Sequence, residues 1–123
     1  MTVSGIGYVN VFVNDIDRAL AFYQDQLGLK LLFADAGHGY ASLSAGPIRL
    51  GLALPGDQPQ LVGRHTGVGL VVDDLEAEHT RLAGLGVAFS MEPSRQPWGG
   101  FMALVDDPDG NVLYLDEVSA AQR

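Results

Sequence analysis

Apolar residues in this chain recur with two periods, and the periods alternate along it. Over residues 8–13 Val9, Val11 and Val13 share one face and Tyr8, Asn10 and Phe12 the other. That is the pattern of a half-buried strand. At Ile16 the spacing changes to three and four: Ile16, Leu20, Tyr23 and Leu27 form one stripe, which predicts a helix. Asn14 or Asp15 can cap its first turn, Asp17 suits the positive end of its dipole, and Gly28 supplies the left-handed residue that ends it. Strands are expected over 29–34, 40–44 and 48–54, the first two joined by the turn Asp35-Ala36-Gly37-His38-Gly39.

The second half repeats the first. Val13-Asn14-Asp15-Ile16 is answered by Val72-Asp73-Asp74-Leu75, 59 residues on, and Gly28 by Gly86. A strand over 68–72 leads into a helix starting at Asp73 or Asp74, carrying Leu75, Leu82 and Leu85 and ending at Gly84–Gly86. Strands follow over 87–91, 101–105 and 112–116, with Asp107-Pro108-Asp109-Gly110 as the turn before the last. Repetition of this kind means two copies of one supersecondary unit, here β-α-β-β-β, with a joint near 55–63. In each strand the aliphatic set (Val9/Val11/Val13, Leu50/Leu52, Val68/Leu70/Val72, Leu113/Leu115) should face its helix. The other set is mixed and small: Tyr8/Asn10/Phe12, Arg49/Gly51/Ala53, Gly67/Gly69/Val71, Val112/Tyr114/Asp116. It should line the concave side of a curved sheet, a natural ligand cleft.

Composition narrows the chemistry. The 123 residues make one domain's worth of chain. Fifteen acidic against seven basic residues leave a net charge of −8. That argues against nucleic-acid binding, which needs a basic face, and favours cationic partners, although acidity also serves plain solubility. Without cysteine there are no disulfides, thiolate nucleophiles or thiolate metal sites. No apolar run approaches the ~20 residues that span a bilayer. The start, MTVSGIGYVN, has neither a basic n-region nor an apolar h-region, so no signal peptide, no membrane association and a cytoplasmic location are expected.

Two β-α-β-β-β units, Asn-Asp-Ile-Asp-Arg-Ala-Leu-Ala-Phe-Tyr with Leu-Gly-Leu at 14–29, Pro-Trp-Gly-Gly at 97–100 and Asp-Pro-Asp-Gly-Asn at 107–111 together resemble the vicinal oxygen chelate superfamily of glyoxalases, bleomycin-resistance proteins and extradiol dioxygenases. The resemblance covers about residues 5–117. It implies an α+β fold in which two β-α-β-β-β modules, near 5–55 and 64–117, form a curved mixed sheet around a cleft within a single domain, 1–123. In metal-using members of that family, inward side chains on the first and last strands of each unit hold the ion. The matching positions here are Tyr8, Gly51, Gly67 and Tyr114. Glycine has no ligand atom, and a phenol that keeps its proton at neutral pH is a poor ligand for a divalent ion. Neither a metal nor another cofactor is therefore expected. His65 lies two residues before Gly67, on the same face if the strand reaches it, but makes no set alone. His38, His65 and His79, in a turn, a linker and a helix, are expected to be solvated.

The same positions fit another use. Gly51, Gly67 and Gly69 remove volume from a cleft floor, while Tyr8 and Tyr114 add aromatic walls with hydroxyls at their tips. Trp98, the single tryptophan, sits in a Pro- and Gly-rich loop. Asn10, Phe33 and Tyr40 complete the candidate ligand-binding set, with Phe12 a lesser one, and Asp106, Asp107 or Asp116 can attract a cation at the rim. The plainer readings are a loop anchor for Trp98, a tight strand approach or bulge for the glycines, and core tyrosines for Tyr8 and Tyr114. By resemblance the pattern is closest to the metal-free bleomycin-resistance branch, whose homodimers, often with an exchanged strand or module, sequester flat-ringed cationic antibiotics. A small-molecule binder without catalytic residues is the leading expectation. The alternatives are a glyoxalase-like lyase, isomerase or dioxygenase-type enzyme and a dimerisation domain with an idle cleft.

Overall fold

A computed structural model describes residues 2–117 of the chain. The single domain expected over 1–123 also takes in Met1 and residues 118–123, which lie outside the described residues. The chain divides after Gly63 into two compact units. In the first, β1 (Tyr8–Phe12), α1 (Ile16–Leu20), β2 (Lys30–Asp35), β3 (Tyr40–Ala45) and β4 (Ile48–Ala53) follow in order. The second has β5 (His65–Val71), α2 (Leu75–Gly84), β6 (Phe89–Arg95), β7 (Phe101–Asp106) and β8 (Val112–Asp116). Each unit has its own four-stranded mixed sheet, ordered β1-β4-β3-β2 and β5-β8-β7-β6. In each the outer pair, β1/β4 or β5/β8, is parallel and the other pairs are antiparallel. The architecture is α+β. No helix among the described residues is long and apolar enough to cross a membrane.

The two faces of each strand divide as their side chains require. Val11, Val13, Leu43, Leu50 and Leu52 are buried with Ile16, Ala19, Phe22 and Tyr23 in the first unit, and Leu113 and Leu115 with Leu75 and Leu82 in the second. Burying each leucine contributes about 2 kcal/mol. The caps match across the repeat: the Asp15 carboxylate accepts from the Arg18 amide (2.9 Å), and the Asp74 carboxylate from the Ala77 amide (3.1 Å). Glu117 accepts from the Leu75 amide (2.9 Å), tying the end of β8 to the start of α2.

Three elements depart from the expected spans by more than one residue. The first helix is α-helical only to Leu20; Ala21–Gln26 continues as a π-helix, with the Leu27 amide donating to the Phe22 carbonyl (2.8 Å). A wider turn lessens the angle between successive residues. Both Phe22 and Tyr23 are thereby buried, edge to face at 4.9 Å. β6 begins at Phe89 rather than 87 and runs to Arg95. β5 begins at His65, three residues earlier than the alternation of valines indicates.

Candidate functional site

The open face of the second unit carries a pocket of about 270 Å³ lined by Gly67, Gly69, Trp98, Met102, Tyr114 and Asp116. Its floor is the bulged start of β5. His65 pairs with Val112 and Gly69 with Tyr114, so β5 spends four residues where β8 spends two. The surplus is absorbed at Gly67, whose φ is +72°. A Cβ there would meet nothing within 4 Å, so it is the backbone conformation that requires glycine. Side chains tie the bulge down. The Gly67 amide donates to His65 Nδ1 (3.1 Å) and the Val68 amide to Thr66 Oγ1 (3.1 Å), while the Thr66 hydroxyl donates to the Val112 carbonyl (2.8 Å).

β7 and β8 supply one wall. Tyr114 is half-buried, its ring 5.0 Å from that of His65 at 61°. Met102 pairs with Asp116 and Leu104 with Tyr114 across the ladder. Trp98 closes the other side from the loop between β6 and β7. That loop is held by the Gln96 amide on the Gly100 carbonyl (2.7 Å) and the Gly99 amide on the Gln96 carbonyl (2.9 Å). The Arg95 guanidinium donates to the Gly99 carbonyl (3.2 Å) and lies 4.6 Å over the Phe101 ring. The indole folds over Gly100, where any Cβ would come within 2.7 Å of Nε1. Trp98 is nevertheless 70% exposed, which is not the environment of a loop anchor.

The remaining candidates lie in the first unit. Ladder partners align Asn10 with Gly51, Gly51 with Ser42 and Ser42 with Phe33, one row across the sheet. The Tyr40 hydroxyl donates to Asn10 Oδ1 (3.4 Å). A Cβ on Gly51 would collide with both Asn10 Oδ1 and the Tyr40 hydroxyl. The space that Gly51 leaves is therefore filled by its neighbours, contrary to the open floor expected there. Tyr8 (56% exposed) and Phe33 (57% exposed) stand free on this unit; neither is a core aromatic.

The acidic and histidine candidates separate by role. Only Asp116 of the three rim acids lines the pocket. Asp107 is buried: its carboxylate accepts from the Asp109 amide (2.8 Å), the Asn111 amide (2.9 Å) and Asn111 Nδ2 (2.9 Å), closing the β7–β8 turn. Asp106 accepts from the Ser90 hydroxyl. His38 is exposed beside Asp35 (2.8 Å). His79 is not solvated as expected but half-buried, its ring 4.6 Å from Phe89. His65 belongs to a strand, not a linker. The alternation of β7, with Ala103 and Val105 buried, is the signal that assigns Met102 to the open face. A glycine within β5 admitted a bulge at Gly67, but the alternation did not separate that from a tight strand approach.

Among the described residues no three His, Cys, Asp or Glu side chains converge, and the four positions that the resemblance matches to metal ligands carry two glycines and two tyrosines.

A model of the Glyoxalase/Bleomycin resistance protein/Dioxygenase superfamily matches residues 5–115. The chain belongs to this superfamily. Within it the chain is 32% identical over 114 residues to a bleomycin resistance protein of Klebsiella pneumoniae, covering 86% of each chain. It is 34% identical over 101 residues to the putative glyoxylase CFP32 of Mycobacterium tuberculosis, covering 80% of this chain but 38% of that relative's length. A solved structure of TnmS3, an antibiotic binding protein from Streptomyces sp. CB03234, superposes with a TM-score of 0.79 at 33% identity, covering 97% of this chain and 99% of that one.

Proposed function

We propose that this chain captures a planar aromatic, cationic small molecule and releases it unchanged, as in antibiotic resistance by sequestration. The observation that carries this reading is the composition of the second unit's pocket: two glycines in the floor, an exposed indole and a phenol as walls, and one carboxylate. Aromatic faces stack on flat rings and attract cations. Asp116 and the net charge of −8 add attraction of the same sign. The names of the Klebsiella and Streptomyces relatives, bleomycin resistance protein and antibiotic binding protein, agree with it. No metal or cofactor takes part in this reading, and we place the protein in the cytoplasm as one domain.

From the first unit, Tyr8, Asn10, Phe33 and Tyr40 add ligand-contacting side chains, with Gly51 lying beneath Asn10 and Tyr40. A second copy of the chain, with an exchanged strand or module, covers the exposed rings of Tyr8 and Phe33, so sedimentation should report a homodimer.

The protein's one tryptophan is in the pocket, which makes the test direct. Titration with bleomycin, quinoxaline and quinoline compounds should quench Trp98 fluorescence with saturation, and the compound should be recovered intact. By calorimetry, Trp98→Ala should weaken binding about tenfold, the worth of a partly desolvated cation–π contact. Equal affinity in the variant would remove stacking by Trp98 from the account. The likeness to the mycobacterial putative glyoxylase keeps a second reading, a glyoxalase-like enzyme, and a chemically altered compound would establish it.

A further inference from the structure

His65 does not line the pocket, yet two of its contacts reach pocket residues. Its Nδ1 accepts the Gly67 amide, and its ring lies edge-on to Tyr114 at 5.0 Å. We propose that His65 is a positioning residue for this pocket, and that protonating it weakens ligand capture; the second half rests on the capture reading above.

An amide N–H can only donate, so Nδ1 must present a lone pair, and the neutral ring carries its proton on Nε2. Gly67 depends on that acceptor. It sits at φ +72° at the bulge, with no side chain of its own to hold it. A proton on Nδ1 sets one donor against another and removes the bond. The new charge also stands beside Tyr114, on the face where a cationic ligand is to lie. Both effects have one sign: capture is strongest with His65 neutral and falls as pH drops.

The charged and titratable groups around His65 are few. Arg64 precedes it, its amide donating to Asn111 Oδ1 (3.2 Å). From β8 come Tyr114 and, one ladder step beyond it on the same face, Asp116. In the turn before β8 are Asp107, engaged with Asn111, and Asp109, whose amide donates to Asp107. From β7 and the Trp98 loop, Asp106 is bonded to Ser90 and Arg95 to the Gly99 carbonyl.

The substitution His65→Asn separates the two halves. An asparagine Oδ1 can accept the amide two residues on, as in an Asx turn, but cannot take up a proton. In the unliganded full chain, the Gly67 amide resonance should move together with the His65 ring resonances as pH is lowered. In His65→Asn it should stay still. A Gly67 amide that ignores His65 overturns the proposal whether or not any ligand binds. By calorimetry, wild-type affinity for bleomycin should fall roughly five- to tenfold once His65 is protonated, the order of one lost hydrogen bond. His65→Asn should keep the high-pH affinity and lose the excess pH dependence, the remainder being titration of bleomycin itself. Parallel pH profiles in the two proteins would also overturn it. Absence of bleomycin binding at pH 8 would count against the capture reading, and the Gly67 resonance would then decide the role of His65 alone.

Discussion

A methyl group at residue 51 would land on the Asn10 carboxamide and the Tyr40 hydroxyl. β1, β3 and β4 converge at this position, because Gly51 pairs with Asn10 on one side and Ser42 on the other. Asn10 lies at the exposed surface and can retreat, whereas Gly51 and Ser42 are buried. Overpacking of this kind costs typically 1–3 kcal/mol. Gly51→Ala should therefore lower stability by about 1 kcal/mol in urea denaturation, and the same substitution made in an Asn10→Gly background should cost less. At Gly67 the requirement is different, since space is free and only the positive φ demands glycine. The sequence marks both positions as unusual without separating these reasons. The first depends on where Asn10 and Tyr40 lie, the second on a bulge that alternation does not encode.

At the scale of elements, two aspartates have equal standing in the sequence and unequal work in the fold. Asp74 offers one hydrogen bond to an exposed first turn of α2, and Glu117 serves the same helix end from β8. Losing such a cap costs about 1 kcal/mol. Asp107 is buried and holds two amides and the Asn111 side chain. Asn111 in turn accepts from the Arg64 amide (3.2 Å), so this turn also sets where β5 begins. Stranding these donors costs about 3 kcal/mol. Thermal unfolding should therefore rank Asp107→Ala well below Asp74→Ala, and the reverse order would mean that the turn is not a staple. The turn itself was legible from Asp-Pro-Asp-Gly; that its first residue is committed inward, and so absent from the rim, was not. The π-helical stretch was hidden for a related reason. The spacing of Ile16, Leu20, Tyr23 and Leu27 satisfies an ordinary helix, and only the joint burial of Phe22 and Tyr23 calls for the wider turn.

For the whole molecule, the fold was legible because the chain states its unit twice, and each strand keeps an aliphatic side apart from a mixed one. The proposed cationic ligand has a fainter trace, one carboxylate at the pocket and a surplus of negative charge elsewhere. The two act over different distances. Screening lengths shorten from about 30 Å at 10 mM salt to about 8 Å at 150 mM, so the net charge of −8 steers a cation at low salt and much less at high salt. Asp116 is a contact-range charge, and an exposed pair contributes about 0–1 kcal/mol. By stopped-flow quenching of Trp98 with bleomycin, raising the salt should mainly slow association, since steering is a property of encounter. Asp116→Asn should instead mainly speed dissociation, by up to about fivefold, and leave the salt dependence of association almost unchanged, because it removes one charge of many. A salt effect confined to dissociation would place the whole attraction in Asp116 and its neighbours, and the acidic surface would then have no part in capture.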